Sequence, residues 1–248
     1  MDFESKTRTI LLMVFGTRAL SGPRLPPARG KATHLVVLCH GYGADGNDLI
    51  GLAPFWQRTM PNVAFAAPNA PEPCQGAPSG YQWFAISRMN PTEMARGVAS
   101  AAGLLESFLD TELARLELTA DRLALVGFSQ GTMMSLHVGL QRRVKPAAIV
   151  GYSGLMPGTE SLGELPADVP PILLSHGDAD PMIPAEAMFA TASALGRAGA
   201  AVQWHVSPGV GHGIDPAAVE LGGIFLLQAF RGALKRTSAA PIHCVLRQ

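Results

Sequence analysis

The sequence predicts an α/β fold: a mostly parallel central sheet with helices on both faces. Three observations carry this. Short apolar runs rich in β-branched residues alternate with segments of helical period along the chain. Most of those runs are apolar on both faces, as strands buried between two helical layers must be. And the 248 residues, 48% hydrophobic and 15% charged, suffice for one large buried core.

The elements follow in order. Residues 19–32, "ALSGPRLPPARGKA", are rich in Pro, Gly and Arg and read as a surface connector. "HLVVLCHG" is a buried strand ending at a glycine loop, and "NVAFAAPNAPEP" is a second strand stopped by prolines. Residues 68–80 read as a loop. "NPTEMARGVASAAGLLESFLDTELARLEL" is the clearest helix, with Asn90 as cap, Pro91 in the first helical position and Glu93 in the first turn. "DRLALVGF" returns to strand and "QGTMMSLHVGLQRR" to helix. "KPAAIVGYSG" and "PPILLSHG" are two further strands. "PAEAMFATASALGRAGA" is a helix ending near Gly199, and "AVQWHVSP" is a strand. "DPAAVELGGIFLLQAFRGALKR" is the last helix, with Asp215 as cap and Lys235 and Arg236 near its negative end.

With no internal repeat and no second compositional block, one domain over 20–236 is the economical reading. Residues 1–19 form an N-terminal extension or first strand, and 237–248, "TSAAPIHCVLRQ", a tail. Lys6 and Arg8 before "ILLMVFG" resemble a signal peptide in outline. The run is short, Asp2 and Glu4 precede it and Arg18 follows soon, so the extension is preferred. No run approaches the ~20 apolar residues of a spanning helix.

Lys plus Arg is 19 and Asp plus Glu is 19, which gives no general attraction to nucleic acid or to anionic lipid. The three cysteines, Cys39, Cys74 and Cys244, are too few and too scattered for a disulfide framework or a zinc site, and a reducing cytoplasm is the expected location.

Within this framework one serine stands out. Ser129 lies in Gly127-Phe128-Ser129-Gln130-Gly131, after a strand pattern and before a helix pattern. A nucleophile at a sharp strand-to-helix turn is pushed into a cleft, and its neighbours must be small for other segments to pass. A tight turn with an inert serine is the bland alternative, and the flanking strand and helix weigh against it. Serine needs a base and the base an orienting acid, in the chain order Ser, Asp or Glu, His. His212, in the glycine-rich "SPGVGHGIDP", is the base candidate. His205 lies in a strand pattern, His243 in the tail, and His176 ahead of the acids. "PILLSHGDADPMIP" supplies the acid as Asp178 or Asp180, and the pattern does not separate the two. Two backbone N–H groups must meet an oxyanion: Gln130, after the nucleophile, and Tyr42, in the loop of "VVLCHGYGADGNDL". His40 reads as structural, since no cluster of ligand-type residues accompanies it.

Together "LCHGYGADGNDL", "GFSQG", "HGDADPMIP" and "GVGHGI" resemble the phospholipase/carboxylesterase family of α/β-hydrolases, which includes acyl-protein thioesterases. The resemblance runs from about Leu20 to about Leu234. It implies Ser129 as nucleophile, His212 as base, Asp180 rather than Asp178 as acid, and Tyr42 and Gln130 as backbone donors. It also sets Trp83 near the acyl pocket, where Trp83-Phe84-Ala85 stands in place of the family's Trp-Phe-Asp. Leu155 and Met156, in "GLMPG", are expected to line an apolar acyl site, while Met133 and Met134 read mainly as core. The implied activity is hydrolysis of small-molecule acyl esters of short to medium chain, with no metal or cofactor and no stable membrane insertion, by a monomer or homodimer. Thioesters on acylated proteins and lysophospholipids come next as substrates. A non-catalytic ligand-binding protein on a hydrolase scaffold is the rival from another class.

Overall fold

The computed structural model describes residues 19–234 apart from positions 75, 88, 89 and 167. The N-terminal extension up to residue 18 and the tail from 235 lie outside the described residues, as do the helix-end cations expected at Lys235 and Arg236. Seven strands form the main sheet in the order β1 (Arg24–Leu25), β3 (Val63–Ala66), β2 (His34–Cys39), β6 (Leu123–Phe128), β7 (Ala148–Tyr152), β8 (Ile172–Gly177) and β9 (Val202–Ser207). Every pairing is parallel except β1 with β3. The central strands β2, β6, β7 and β8 are buried almost throughout. This is why they read as continuous apolar runs rather than as an alternation.

Two layers of helices cover the sheet. On one face lie α3 (Pro91–Arg115), α4 (Gln130–Gln141) and α5 (Ala185–Arg197), packing Leu105, Met133, Met134 and Met188 onto Leu35, Val37, Leu125 and Ile149. On the other lie α1 (Gly46–Ile50), α2 (Ala53–Gln57) and α6 (Pro216–Phe230), packing Trp56 and Phe225 onto Val36, Leu38, Val126 and Val150. Alternate residues of β2 and β6 therefore serve opposite cores.

The expected caps hold. Asn90 accepts from the Thr92 N–H, with Pro91 in the first position, and Asp215 accepts from the Ala218 N–H. Gly199 follows α5 with φ 99°, where a side chain would be strained. Four features differ from the expectation. The connector over 19–32 supplies β1, the edge strand that pairs antiparallel with β3. The loop over 68–80 carries half of a two-residue hairpin, β4 (Glu72–Pro73) with β5 (Tyr81–Gln82), whose turn is closed by Cys74 N–H to Gly80 O. Helices α1 and α2 were not foreseen. Finally α6 stops at Phe230, and Gly232 at φ 68° turns the chain away.

Candidate active site

Ser129 follows β6 directly, with φ 53° and ψ −115°. A non-glycine residue in that region stores about 1–3 kcal/mol of strain, and its surroundings must hold it there. Its N–H donates to Tyr152 O at the end of β7, 2.9 Å away, and its carbonyl accepts from Thr132 N–H at 3.0 Å. The Thr132 hydroxyl lies 2.9 Å from Gly127 O and 2.8 Å from Tyr152 O, tying the first turn of α4 to both strands. Two glycines make the turn possible. A Cβ on Gly131 would stand 1.8 Å from Cys39 O, and one on Gly127 would stand 2.3 Å from the Gly131 backbone. The close passage that the G-x-S-x-G spacing implies is present at both.

Asp180 sits in the turn after β8, its side chain fully buried. Oδ1 accepts from Met182 N–H at 2.8 Å and Ile183 N–H at 3.0 Å, and Oδ2 lies 2.7 Å from His212 Nδ1. Burial alone would raise this carboxyl, but the hydrogen bonds from His212, Ile183 and Met182 outweigh it and hold it below its ordinary range. Since a carboxylate only accepts, Nδ1 of His212 carries a proton, and in the neutral ring Nε2 keeps a free lone pair. The ring stands 4.9 Å from that of Phe128, the residue before Ser129. Asp178, by contrast, is exposed and accepts from Gly209 N–H at 2.6 Å. The alternative left open by the residue pattern thus divides by contact: Asp180 meets the imidazole, and Asp178 tethers the loop that carries it.

A neighbour was missed. His176 is buried, with Nε2 2.8 Å from Ile183 O and 3.2 Å from Asp180 Oδ2. Only its place four residues before Asp180 hints at this.

The loop after β2 brings Gly41 beside the serine, where a Cβ on Gly41 would lie 3.3 Å from the Ser129 Cβ. The buried His40 ring fixes the loop through both nitrogens. Nε2 accepts from Ala70 N–H at 2.9 Å, so Nδ1 carries the proton and donates to Gly41 O at 2.8 Å. Burial pushes the His40 pKa down, which keeps the ring neutral. A trans peptide points its N–H opposite to its C=O. With Gly41 O held by His40, the Tyr42 N–H faces away from that ring. Among the described residues, neither the Tyr42 nor the Gln130 N–H has an acceptor.

The expected acyl-site residues do not share one surface. Trp83 is 1% exposed. Leu155 is half-buried against the core that holds Trp83. Met156 packs in a different core with Met188 and Leu195, and its N–H donates to Thr191. A cavity of about 570 Å³ between α2 and α6 is lined by Phe55, Trp56, Val219, Ile224 and Leu227, but not by Ser129, Asp180 or His212. Among the described residues no group of His, Cys, Asp and Glu could hold a metal ion, and no helix is long and apolar enough to cross a membrane.

The sequence profile of the phospholipase/carboxylesterase family matches residues 22–226. The chain belongs to that family. It is 28% identical over 221 residues to acyl-protein thioesterase 1 of Gibberella zeae, covering 82% of this chain and 94% of the relative. It is 32% identical over 211 residues to the Neurospora crassa protein of the same name, covering 77% and 84%. Among solved structures, esterase PE8 superposes with a TM-score of 0.80 at 39% identity, over 85% of this chain and 99% of that one. Zea mays acyl-protein thioesterase 2, at 22% identity and TM-score 0.68 over 85% and 99%, shares the fold. The phospholipase/carboxylesterase chain described here is therefore an α/β-hydrolase and a carboxylic ester hydrolase, from a serine hydrolase family of carboxylesterase and thioesterase type.

Proposed function

We propose that the chain cleaves carboxylic acyl esters of short to medium chain, with Ser129 as nucleophile, His212 as general base and Asp180 as its orienting acid. The observation that carries this is the 2.7 Å contact of the buried Asp180 carboxylate with His212 Nδ1, which leaves Nε2 free in a ring packed beside the strained Ser129 turn.

The chemistry follows from those protons. His212 Nε2 takes the hydroxyl proton as Ser129 Oγ attacks the ester carbonyl carbon. Asp180 stabilises the imidazolium that forms. The N–H groups of Tyr42 and Gln130 receive the oxyanion of the tetrahedral intermediate. The intermediate collapses with loss of the alcohol, which takes its proton from Nε2. Water then repeats the cycle on the acyl-enzyme, with Nε2 again as base, and the acid is released. No step calls for a metal or cofactor. The free, buried Cys39 and Cys74 fit a reducing cytoplasm.

A thioester substrate is the second reading, favoured by the relatives named acyl-protein thioesterase. The same attack on a thioester carbonyl would release a thiol. Fluorophosphonate labelling with peptide mass spectrometry tests the shared mechanism. One adduct on Ser129, lost in His212→Ala, is expected. Folded wild type that takes no label would remove the hydrolase reading in favour of a binding protein. Matched p-nitrophenyl esters and acyl-thioesters then separate the two substrate classes.

A further inference from the structure

Trp83 is not placed as a substrate wall. At 1% exposure it offers no surface to a ligand, yet both of its N–H groups are committed, and to different segments. The indole Nε1–H donates to His40 O at 2.9 Å, and the main-chain N–H donates to the Gln130 side-chain Oε1 at 2.8 Å. The other end of that amide, Nε2, donates to Phe84 O at 2.8 Å, so the Gln130 side chain is locked onto the Trp83-Phe84 segment.

These two segments carry the backbone donors, Tyr42 and Gln130. The β2–β6 ladder sets their spacing only as far as its last pair, Cys39 with Gly127. Each donor lies three residues beyond that pair (42 − 39 and 130 − 127). Past the ladder, no direct backbone hydrogen bond joins the two segments among the described residues. The two segments pack directly where the Gly131 backbone meets Cys39 and His40, and Trp83 adds the hydrogen bonds that this packing lacks. It holds the carbonyl of the residue two before Tyr42 with its ring, and the side chain of Gln130 with its backbone.

We propose that Trp83 is a positioning residue of the oxyanion hole: a brace that keeps the Tyr42 and Gln130 N–H groups at one separation, and not a lining residue of the acyl pocket. This rests on the ester-hydrolase reading above, in which those two groups share the oxyanion. Its consequence is specific. The oxyanion exists only in the intermediate and its flanking transition states, so loosening the brace lowers kcat and leaves KM in place. The carbonyl is common to every ester, so the loss is the same at every chain length. A wall residue does the opposite and alters which chain is preferred.

The test is Trp83→Phe, which keeps an aromatic ring and deletes the indole N–H, with Gln130→Met, which removes the other end of the brace and keeps the backbone donor. Both are assayed as full chains on p-nitrophenyl esters from acetate to decanoate. A trifluoromethyl ketone that forms an oxyanion adduct on serine is assayed beside them, and thermal melts monitor folding. The expected result is a kcat lower by about 10- to 100-fold, the scale of an ångström-level misplacement, with KM little changed and the chain-length profile unaltered in shape. The ketone inhibition constant should rise in step. The double variant should lose less than the product of the single losses, because both cut one brace. A moved chain-length optimum would overturn the proposal in favour of a pocket wall. A lowered melting temperature with unchanged kcat would overturn it in favour of packing alone. If Trp83→Phe does not fold, Gln130→Met carries the same expectations and the same refutations. Failure of the parent reading looks different: there, folded wild type itself takes no label and turns over no ester.

Discussion

Asp180→Asn replaces one oxygen by an NH₂ group, and the surrounding turn decides where that group goes. Oδ1 is held by two main-chain N–H groups, from Met182 and Ile183, while Oδ2 faces His212. An asparagine that keeps its oxygen on the two N–H donors must present NH₂ to His212 Nδ1. That nitrogen must then accept, the ring proton moves to Nε2, and the base can no longer take the Ser129 proton. The equivalent tautomer reversal in a comparable triad costs about 10⁴ in kcat, roughly 5 kcal/mol. The escape is to turn the amide over, which strands two buried N–H groups at about 1–3 kcal/mol each. The smaller cost governs, so kcat should fall by about 30- to 10⁴-fold. Turnover of p-nitrophenyl butyrate and the rate of fluorophosphonate labelling measure this, with a urea midpoint to show that the fold survives. Asp178→Asn is the control. It touches only the Gly209 tether and should cost about tenfold or less. A variant at position 180 that keeps near-wild-type kcat, or one no worse than Asp178→Asn, would refute the assignment.

Other consequences are as concrete. Gly131→Ala places a Cβ 1.8 Å from Cys39 O and 2.7 Å from His40 O, both immovable backbone, so it should cost at least about 3 kcal/mol and abolish labelling of Ser129. Ser129→Ala and Ser129→Gly should both be inactive. Only glycine releases the strain of φ 53°, so Ser129→Gly should be the more stable by about 1 kcal/mol in urea titrations, and equal midpoints would argue against a strained turn. The buried Glu112 carboxylate accepts from Arg24 and Arg115. Burial would raise its pKa, but those two guanidiniums hold it below the ordinary range. Its stabilisation is therefore fully present above about pH 4.3 and is lost as the pH falls through the lowered value. Glu112→Gln should cost about 1–3 kcal/mol at neutral pH, with a gap to wild type that narrows only in acid, read from urea midpoints across pH.

What could be read in the sequence was local. The parallel strands announce themselves because burial on two faces demands unbroken apolar runs, and the long α3 because a cap, a proline and a helical period coincide. Ser129 is legible because the sharp turn after β6 excludes side chains at Gly127 and Gly131. The short helices α1 and α2 were not, since five residues hold little more than one turn and no apolar period can establish itself. The end of α6 was overrun because its apolar residues continue past the point where Gly232 turns the chain. The bonds of Trp83 were beyond reach for another reason. Its partners lie 43 and 47 residues away, so no window along the chain contains them. The resemblance implies Trp83 near the acyl pocket, and no pattern along the chain distinguishes a ring facing a ligand from one wedged between backbones.

The end of β7 plays a part that its sequence does not advertise. The serine rides on β6 and the acid follows β8, so β7 stands between them in the sheet. Tyr152 O receives the Ser129 N–H on one side, and on the other the Ser153 hydroxyl donates to Gly213 O, beside His212. Ser153 itself has φ 44°. These two residues act as a gauge block: they tie the Ser129 turn and the loop of His212 to the end of one strand. Enlarging or relaxing that turn would respace Ser129 and His212 without touching either of them, so under the proposed mechanism differences in turnover between related chains can originate at a position that never meets a substrate.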